Sequence, residues 1–449
     1  MTTNLTRGND ANLQDLYMDF MRETHDLTPA VGDVTGFLSQ YGTPAEKLDK
    51  NAKVARRVEM MFKDGKTAVV GHPDANKSVA ALTNLGATGI RERNRSRMAF
   101  TFGMLVSRAE IDYRDKKDSG SSYTYLDEMV DLFTDALEVL KEDQEILFSN
   151  GFDGRIMFAA AEAGAAIAAG ATGDLSVADV AIAPQNRLLE VVRGGTLVAD
   201  VQIVTVASPG GAGPAVIQIK NIGTASYTPA QGDEFRHLNQ GIDGSLFHSL
   251  DQAFDLAAYP REQGQNIPNS STNNFPNILS GGNARVNVAQ MEKMEMDITR
   301  RMNKPRFDRI DANRVGLPAG FGYIYVGRDE MIHSLANEFR QAYGRSNATD
   351  SSTELMPARV VLIDGKPYLK AKTLRNDRFY ALSPRDWASL NEVPQLLNPN
   401  QDRGFSHVPQ TVKSEVIMAE HCGHFCINRP NQARITEVRG NDNTDYGVA

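Results

Sequence analysis

The sequence is poor in cysteine and has no long apolar run. Cys422 and Cys426 are its two cysteines, so a disulfide framework of the secreted type is excluded and we expect a reducing compartment. The N-terminal residues lack the basic start and apolar stretch of a signal peptide. The most apolar segment, residues 156–171, is short, alanine-rich and interrupted by Glu162, which predicts a packed internal helix and not a membrane span.

An overall basic excess is also absent. The formal net charge is −8 and the pI is near 5.6, which argues against a protein that coats nucleic acid generally but allows a local basic patch. A chain of 449 residues is long enough for two or three structural units with a sizeable core.

Common catalytic motifs are missing as well. There is no G-x-S-x-G nucleophile elbow and no H-E-x-x-H metal motif. The segment "KDGKT" at 63–67 has Met60 where a phosphate-binding loop needs glycine, and "PGGAGP" at 209–214 lies between two predicted strands, where a hairpin turn explains it better. We therefore expect no catalytic residue and no cofactor.

One segment, "EHCGHFC", contains metal-ligand residue types: His421, Cys422, His424 and Cys426. On a strand the two cysteines and His424 would share one face, with the cysteine Cα atoms roughly 13 Å apart, too far for a disulfide. A metal would need a further ligand from elsewhere, so a half-buried strand is the favoured interpretation and no metal is expected.

What the sequence does contain is segregated charge. Residues 51–105 carry ten basic and four acidic side chains, and in "RERNRSRMAF" the residues Arg91, Arg93, Arg95 and Arg97 occupy every second position. On an extended strand all four would lie on one face. Flanking strand-like runs predict a long two-stranded excursion here.

The next segment is acidic and helical. Residues 106–150 carry five basic and twelve acidic side chains, and apolar residues from Leu126 to Leu147 recur at spacings of three, four and seven, which predicts a helix roughly 39 Å long. Its acids include Asp131, Asp135, Glu138 and Glu142. Acids near a helix C-terminus oppose the macrodipole, so a basic partner is expected, and the basic segment is the candidate.

Three interpretations of the arginine stripe stay open. Pairing with acids of another subunit is favoured, while phosphate contact with nucleic acid and a solvated face are the alternatives.

Elsewhere the patterns predict helices at 13–21, 176–193, 288–302 and 328–343, strands at 66–71, 196–208, 215–223, 322–327, 378–383 and 415–438, a hairpin at 358–374 and a surface loop at 264–283.

This order of elements resembles the major capsid proteins of tailed double-stranded DNA bacteriophages, which have the Hong Kong 97 fold. The helix end "EDQEILFSNG" and the segment "KPRFDRI" leading into "GYIYVGRDEMIHSL" are similar to segments of that family. The resemblance implies an α+β fold with an N-terminal arm at 1–50, an extension loop at 51–105, a peripheral domain at 106–175 with a spine helix at about 125–150, an axial domain at 176–380 with a possible insertion at about 200–285, and returning peripheral strands at 381–449.

The resemblance also implies a function. Such a chain would assemble in the host cytoplasm into pentamers and hexamers of an icosahedral virion shell around packaged DNA, with a portal protein, a separate scaffolding protein, a possible decoration protein and no membrane. The four stripe arginines would meet Asp131, Asp135, Glu138 and Glu142 of a neighbouring copy. The alternatives are a nanocompartment shell of the same fold and a cytosolic α/β enzyme that uses His421, His424 or the central domain.

Overall fold

The fold is taken from a computed structural model and combines five helices with four sheets among the residues that it describes. Those residues are 34–52, 57–64, 94–112, 122–149, 155–159, 165–177, 187–206, 215–237, 248–254, 277–301, 324–343, 360–363, 366–371, 373–374, 377–391, 395–397, 405–407 and 413–438.

The long acidic helix is confirmed. Helix α3 covers Ser122–Ser149, and its 28 residues give a rod of roughly 42 Å. The apolar residues of its last three turns, among them Leu140, Ile146 and Leu147, are buried. No helix in the described part of the chain is both long enough and apolar enough to span a membrane.

The two-stranded excursion is confirmed as a ribbon. Strands β2 (Arg57–Asp64) and β3 (Asn94–Thr101) pair antiparallel over their full length, and they form a sheet of their own. At the root of the ribbon Val58 is paired with Phe100, and both side chains are fully buried in the core that also holds Trp387 and Phe425.

The first large sheet is organised around one strand. Strand β19 (Lys413–Cys426) pairs antiparallel with β4 (Gly103–Asp112) along one edge, and with β16 (Trp387–Asn391), β17 (Gln395–Leu397) and β18 (Phe405–His407). Strand β1 (Thr43–Pro44) adds to β16, and helices α1 (Val34–Tyr41) and α2 (Ala45–Leu48) lie beside it.

The second sheet is antiparallel and closes on itself. It consists of β5 (Arg155–Phe158), β6 (Thr172–Val177), β7 (Leu188–Arg193), β8 (Thr196–Val206), β9 (Ala215–Asn221) and β10 (Glu234–His237), in the order β5-β10-β7-β8-β9-β6. A bridge between Ala159 and Val177 joins the first strand to the last. Alternate residues such as Leu189, Val201 and Ile217 fill the interior.

The third sheet is mixed and carries two helices. It has the order β11-β20-β15-β12-β14-β13 and consists of β11 (Asn277–Ala284), β12 (Ile324–Gly327), β13 (Val360–Ile363), β14 (Lys366–Lys370), β15 (Arg378–Leu382) and β20 (Ala433–Val438). Helices α4 (Val288–Arg301) and α5 (Asp329–Tyr343) bury Met294, Ile298 and Leu335 against it.

Three predictions are wrong. Where a helix is predicted at 176–193, the described residues form the end of β6 and the whole of β7. Leu189 and Val191 are buried two residues apart with the half-buried Glu190 between them, which is the strand period. The alanine-rich helix predicted at 156–171 begins as β5, which pairs with β10. The surface loop predicted at 264–283 contains most of β11, held by its parallel partner β20.

The remaining predictions fall into two groups. One group is confirmed, with ends that differ by one to a few residues. It consists of the helices at 288–302 and 328–343, the strands at 196–208, 215–223, 322–327, 378–383 and 415–438, and the paired strands of the hairpin at 358–374. The last strand has a break at 427–432. The helix at 13–21, the strand at 66–71 and the turn at 209–214 lie outside the described residues.

Candidate intersubunit surface

The β2–β3 ribbon is held by its root. Phe100 stacks on Phe425 of β19 with ring centroids 4.0 Å apart, and Val58 lies in the same core. Beyond the root, neither ribbon strand pairs with any other strand that the structure describes. Eight extended residues span roughly 26 Å. Because an isolated two-stranded ribbon is at best marginally stable in water, this one needs a further surface to pack on.

Half of the arginine stripe lies within the ribbon. Arg95 and Arg97 are two residues apart on β3, so they occupy one face, beside Lys63 and Met61 of β2. The extended conformation predicted for this stretch is therefore confirmed at these two positions. Arg91 and Arg93 lie outside the described residues.

The predicted acids form one line along α3. Asp131, Asp135, Glu138 and Glu142 are spaced four, three and four residues apart, which places them on one helical face. The side chains of Asp135, Glu138 and Glu142 are exposed. The pairing of these acids with the arginine stripe stays a prediction.

The cation expected beside the end of α3 comes from another segment. Arg187, just before β7, places Nη2 3.2 Å from Oε2 of Glu142 and 3.3 Å from Oδ1 of Asp143. Burial raises the pKa of Asp143 to about 6, against the opposing effect of the Arg187 charge. Within the described part of the subunit, the basic partner of these two acids is thus Arg187, and the pairing of Glu142 with the stripe of another copy stays a prediction.

A third acid, Glu145, caps another helix. Its carboxylate accepts hydrogen bonds from the backbone N–H groups of Val34 and Thr35 at 3.0 and 2.8 Å, and from the Thr35 hydroxyl at 2.6 Å. These groups form the N-terminus of α1, where a negative charge is favourable. The C-terminal end of α3 is thereby fastened to the start of the first described element.

A buried ion pair joins α3 to β19. Lys141 Nζ lies 2.5 Å from Oε1 of Glu420, and both side chains are almost completely buried. Near it Leu147 packs with Cys422, and Phe148 meets the His424 ring edge to face at 4.9 Å. The separation of 279 positions between Lys141 and Glu420 explains why no local pattern indicates this contact.

The strand interpretation of "EHCGHFC" is confirmed. Cys422, His424 and Cys426 lie on the buried face of β19. Burial lowers the pKa of His424 to about 3, and its two ring nitrogens have no hydrogen-bond partner. A substrate could not reach this ring in its core position. Among the residues described, no group of three or more histidine, cysteine or acidic side chains could hold a metal ion.

Both thiols should be unreactive in the folded chain. Cys422 and Cys426 are free and buried, and burial raises the pKa of each thiol well above its usual range. We expect no labelling by a disulfide-exchange reagent at pH 8 under native conditions and two labelled thiols per chain in denaturant. Absorbance of the released thiolate measures this, and rapid native labelling would contradict the burial.

No protein-family model matches the chain, and no curated protein matches it. Solved structures do show likeness. The capsid of cyanophage A-1(L) is 10% identical with a TM-score of 0.45, covering 86% of this chain and 88% of that one. The capsid of Myoviridae phage XM1 is 8% identical with a TM-score of 0.39, and the match covers 90% of this chain and 91% of that one. The SrpI encapsulin of Synechococcus elongatus is 8% identical with a TM-score of 0.37, and the match covers 85% of this chain and 83% of that one. Two of these three structures are phage capsids and the third is an encapsulin complex.

Proposed function

We propose that this chain is the major capsid protein of a tailed double-stranded DNA phage, and that copies of it form the pentamers and hexamers of an icosahedral shell around packaged DNA. The observation that carries the proposal is the ribbon, which is rooted in its own subunit at Val58 and Phe100 and is otherwise unpaired among the described strands. A second copy of the chain supplies the surface that such a ribbon needs.

The charge pattern supports contact between copies. The ribbon contributes the arginine stripe, and α3 contributes the exposed line of Asp135, Glu138 and Glu142. One exposed ion pair contributes only about 0.2 to 1 kcal/mol, but a closed shell repeats the same contact in every subunit. The electrostatic contact therefore fixes the register of subunits more than the stability of each one.

The domain assignment and the partners belong to the same proposal. The proposed boundaries are those predicted from the sequence: the arm at 1–50, the extension loop at 51–105, the peripheral domain at 106–175 with returning strands at 381–449, and the axial domain at 176–380. The closed sheet of β5 to β10 includes residues from both sides of the predicted junction at 175/176. A separate scaffolding protein, a portal protein, a decoration protein and DNA on the inner surface would be the partners. The virion is the location, after assembly in the host cytoplasm.

Electron microscopy of the purified full chain, alone and with its candidate scaffolding protein, tests the function. Rings, tubes or closed shells are expected, and discrete small particles under every condition would overturn the proposal. Nuclease-protected DNA in shells from infected cells is expected for a phage capsid, whereas shells that enclose only protein would identify a nanocompartment.

Charge reversal tests the stripe. The double variant Arg93→Glu, Arg95→Glu should prevent shell closure by placing like charges opposite α3 of the neighbour, and we expect the subunit itself to remain folded. The matched control is Lys220→Glu with Lys293→Glu, two exposed lysines away from the ribbon with the same change in net charge. Sedimentation and microscopy measure assembly, and normal shells from the stripe variant would refute the contact.

A further inference from the structure

Strand β4 has an open edge. It pairs with β19 through ten consecutive residues, from Gly103 opposite Cys422 to Asp112 opposite Lys413, without a register shift. On its other side it pairs with no strand in the part of the chain that the structure describes. Proteins usually protect such an edge with a bulge, a proline or charged side chains. Strand β4 has no bulge and no proline, and its charged residues Arg108, Glu110 and Asp112 all lie in its second half, so the first half has none of these protections.

The open edge carries exposed apolar side chains. Met104 is 46% exposed and Val106 is 51% exposed, and they lie on the same face of β4. Leu105, between them, points to the opposite face, where it packs with Leu147 of α3. The sheet is thus covered by α3 on one face and exposes two large apolar residues next to an unpaired edge on the other.

Strand β2 has the length and pattern to fill this edge. Its pairing with β3 leaves its other edge without a described partner. Met60 and Phe62 occupy one face of β2, whereas Met61 and Lys63 share the other face with the stripe arginines of β3. β2 cannot reach beyond its own root to pair with β4 of the same chain while Phe100 holds β3 on Phe425, so the partner edge is in a second copy.

We propose that β2 of one copy adds as a parallel strand to the open edge of β4 in a neighbouring copy, with Phe62 beside Val106. This inference rests on the proposed shell function and names the contact within it. In this register Met60 comes beside Met104 and Asp64 beside Arg108, so apolar residues meet and opposite charges meet. The antiparallel alternative brings Phe62 beside Met104 but places Val58 beside Arg108 and forms no charge pair.

The face that β2 presents follows from this register. The stripe residues Arg95 and Arg97 then lie on the side of the joined sheet that carries α3 of the neighbour, which is the helix with the exposed line of acids. A slip by one residue would move the stripe to the other side. Strand addition and charge pairing therefore require the same orientation.

Disulfide trapping tests the register. Assembled particles of the Phe62→Cys, Val106→Cys variant should give covalent multimers after mild oxidation, and Phe62→Cys with Leu105→Cys, on the opposite face of β4, should give few. Each single variant is a further control, and the buried Cys422 and Cys426 add no background in folded chains. Shells that form without this cross-link, or that cross-link only through Phe62→Cys with Met104→Cys, would overturn the proposed register while leaving the shell function intact.

Blocking the edge provides an independent measurement. Val106→Lys should reduce assembly at least tenfold while leaving the melting temperature of the unassembled subunit unchanged, because the side chain is half exposed. The matched control is Leu197→Lys, on the closed sheet, where an apolar side chain is 49% exposed. Equal assembly of the two lysine variants would overturn the proposal. Failure of the unaltered chain to assemble would instead count against the shell function.

Discussion

Replacing Lys141 with methionine should lower the free energy of unfolding by about 3 to 5 kcal/mol, the cost of removing one member of a buried ion pair. Glu420 would lose its contact at 2.5 Å while remaining buried against β19 and α3. Urea unfolding of the unassembled subunit measures the change. Fluorescence of Trp387, the one tryptophan, reports on this region because its ring meets Phe148 at 5.5 Å.

Two further variants identify the cause. Lys141→Met combined with Glu420→Leu should recover most of the lost stability, because both members of the buried ion pair are then replaced by apolar side chains. Arg187→Met removes a cation from Glu142, whose side chain is 53% exposed, and from Asp143, whose pKa burial raises to about 6 so that it can bind a proton instead. This variant should therefore cost less. A double variant as unstable as the sum of the two single ones would show that packing, and not the broken ion pair, determines the loss.

Acid should lower the free energy of unfolding of the subunit already at pH values above those at which surface carboxylates bind protons. Burial lowers the pKa of His424 to about 3 and that of His248 to about 4. In the unfolded chain both bind a proton near pH 6.5, so protons favour unfolding as the pH falls from 6.5 toward these values. Each histidine contributes a loss of roughly 1.4 kcal/mol per pH unit in that window, and no loss above it.

The variant His424→Phe should weaken this acid dependence. A phenyl ring fits beside Phe148 with a similar shape and has no proton to bind, and the two nitrogens that it replaces have no hydrogen-bond partner. The control is His333→Phe, at an exposed position on α5. Urea midpoints between pH 7 and pH 4 measure the effect, and parallel curves for the variant and the unaltered chain would contradict the role of His424.

Elements with a long local repeat could be predicted from the sequence. α3 shows the 3.6-residue period over many turns, which predicts its type and its approximate ends. The alternation of arginines predicts the extended conformation that β3 has at Arg95 and Arg97, but not where the strand begins and ends. The same alternation indicates the buried face of β19. For the candidate surface, the spacing of residues along the sequence is enough to predict which arginines share a face of β3 and which acids share a face of α3.

The closed sheet and the polar contacts of α3 could not be predicted. β5 has four residues and its partner β10 lies more than 70 positions later, so an alanine-rich stretch gave a stronger helical signal than the strand. Glu145 contacts residues 110 and 111 positions away. Such partners depend on tertiary packing, which local periodicity does not encode.

The central position of β19 and β20 also sets the timing of folding during synthesis. Residues 413–438 leave the ribosome after every other described element, and they complete two of the large sheets, one around β19 and one in which β20 lies between β11 and β15. Until then Phe100 lacks Phe425 and β4 lacks its one partner strand. A nascent chain thus has neither a rooted ribbon nor a formed β4 edge, which delays association between copies until β19 and β20 have been synthesised.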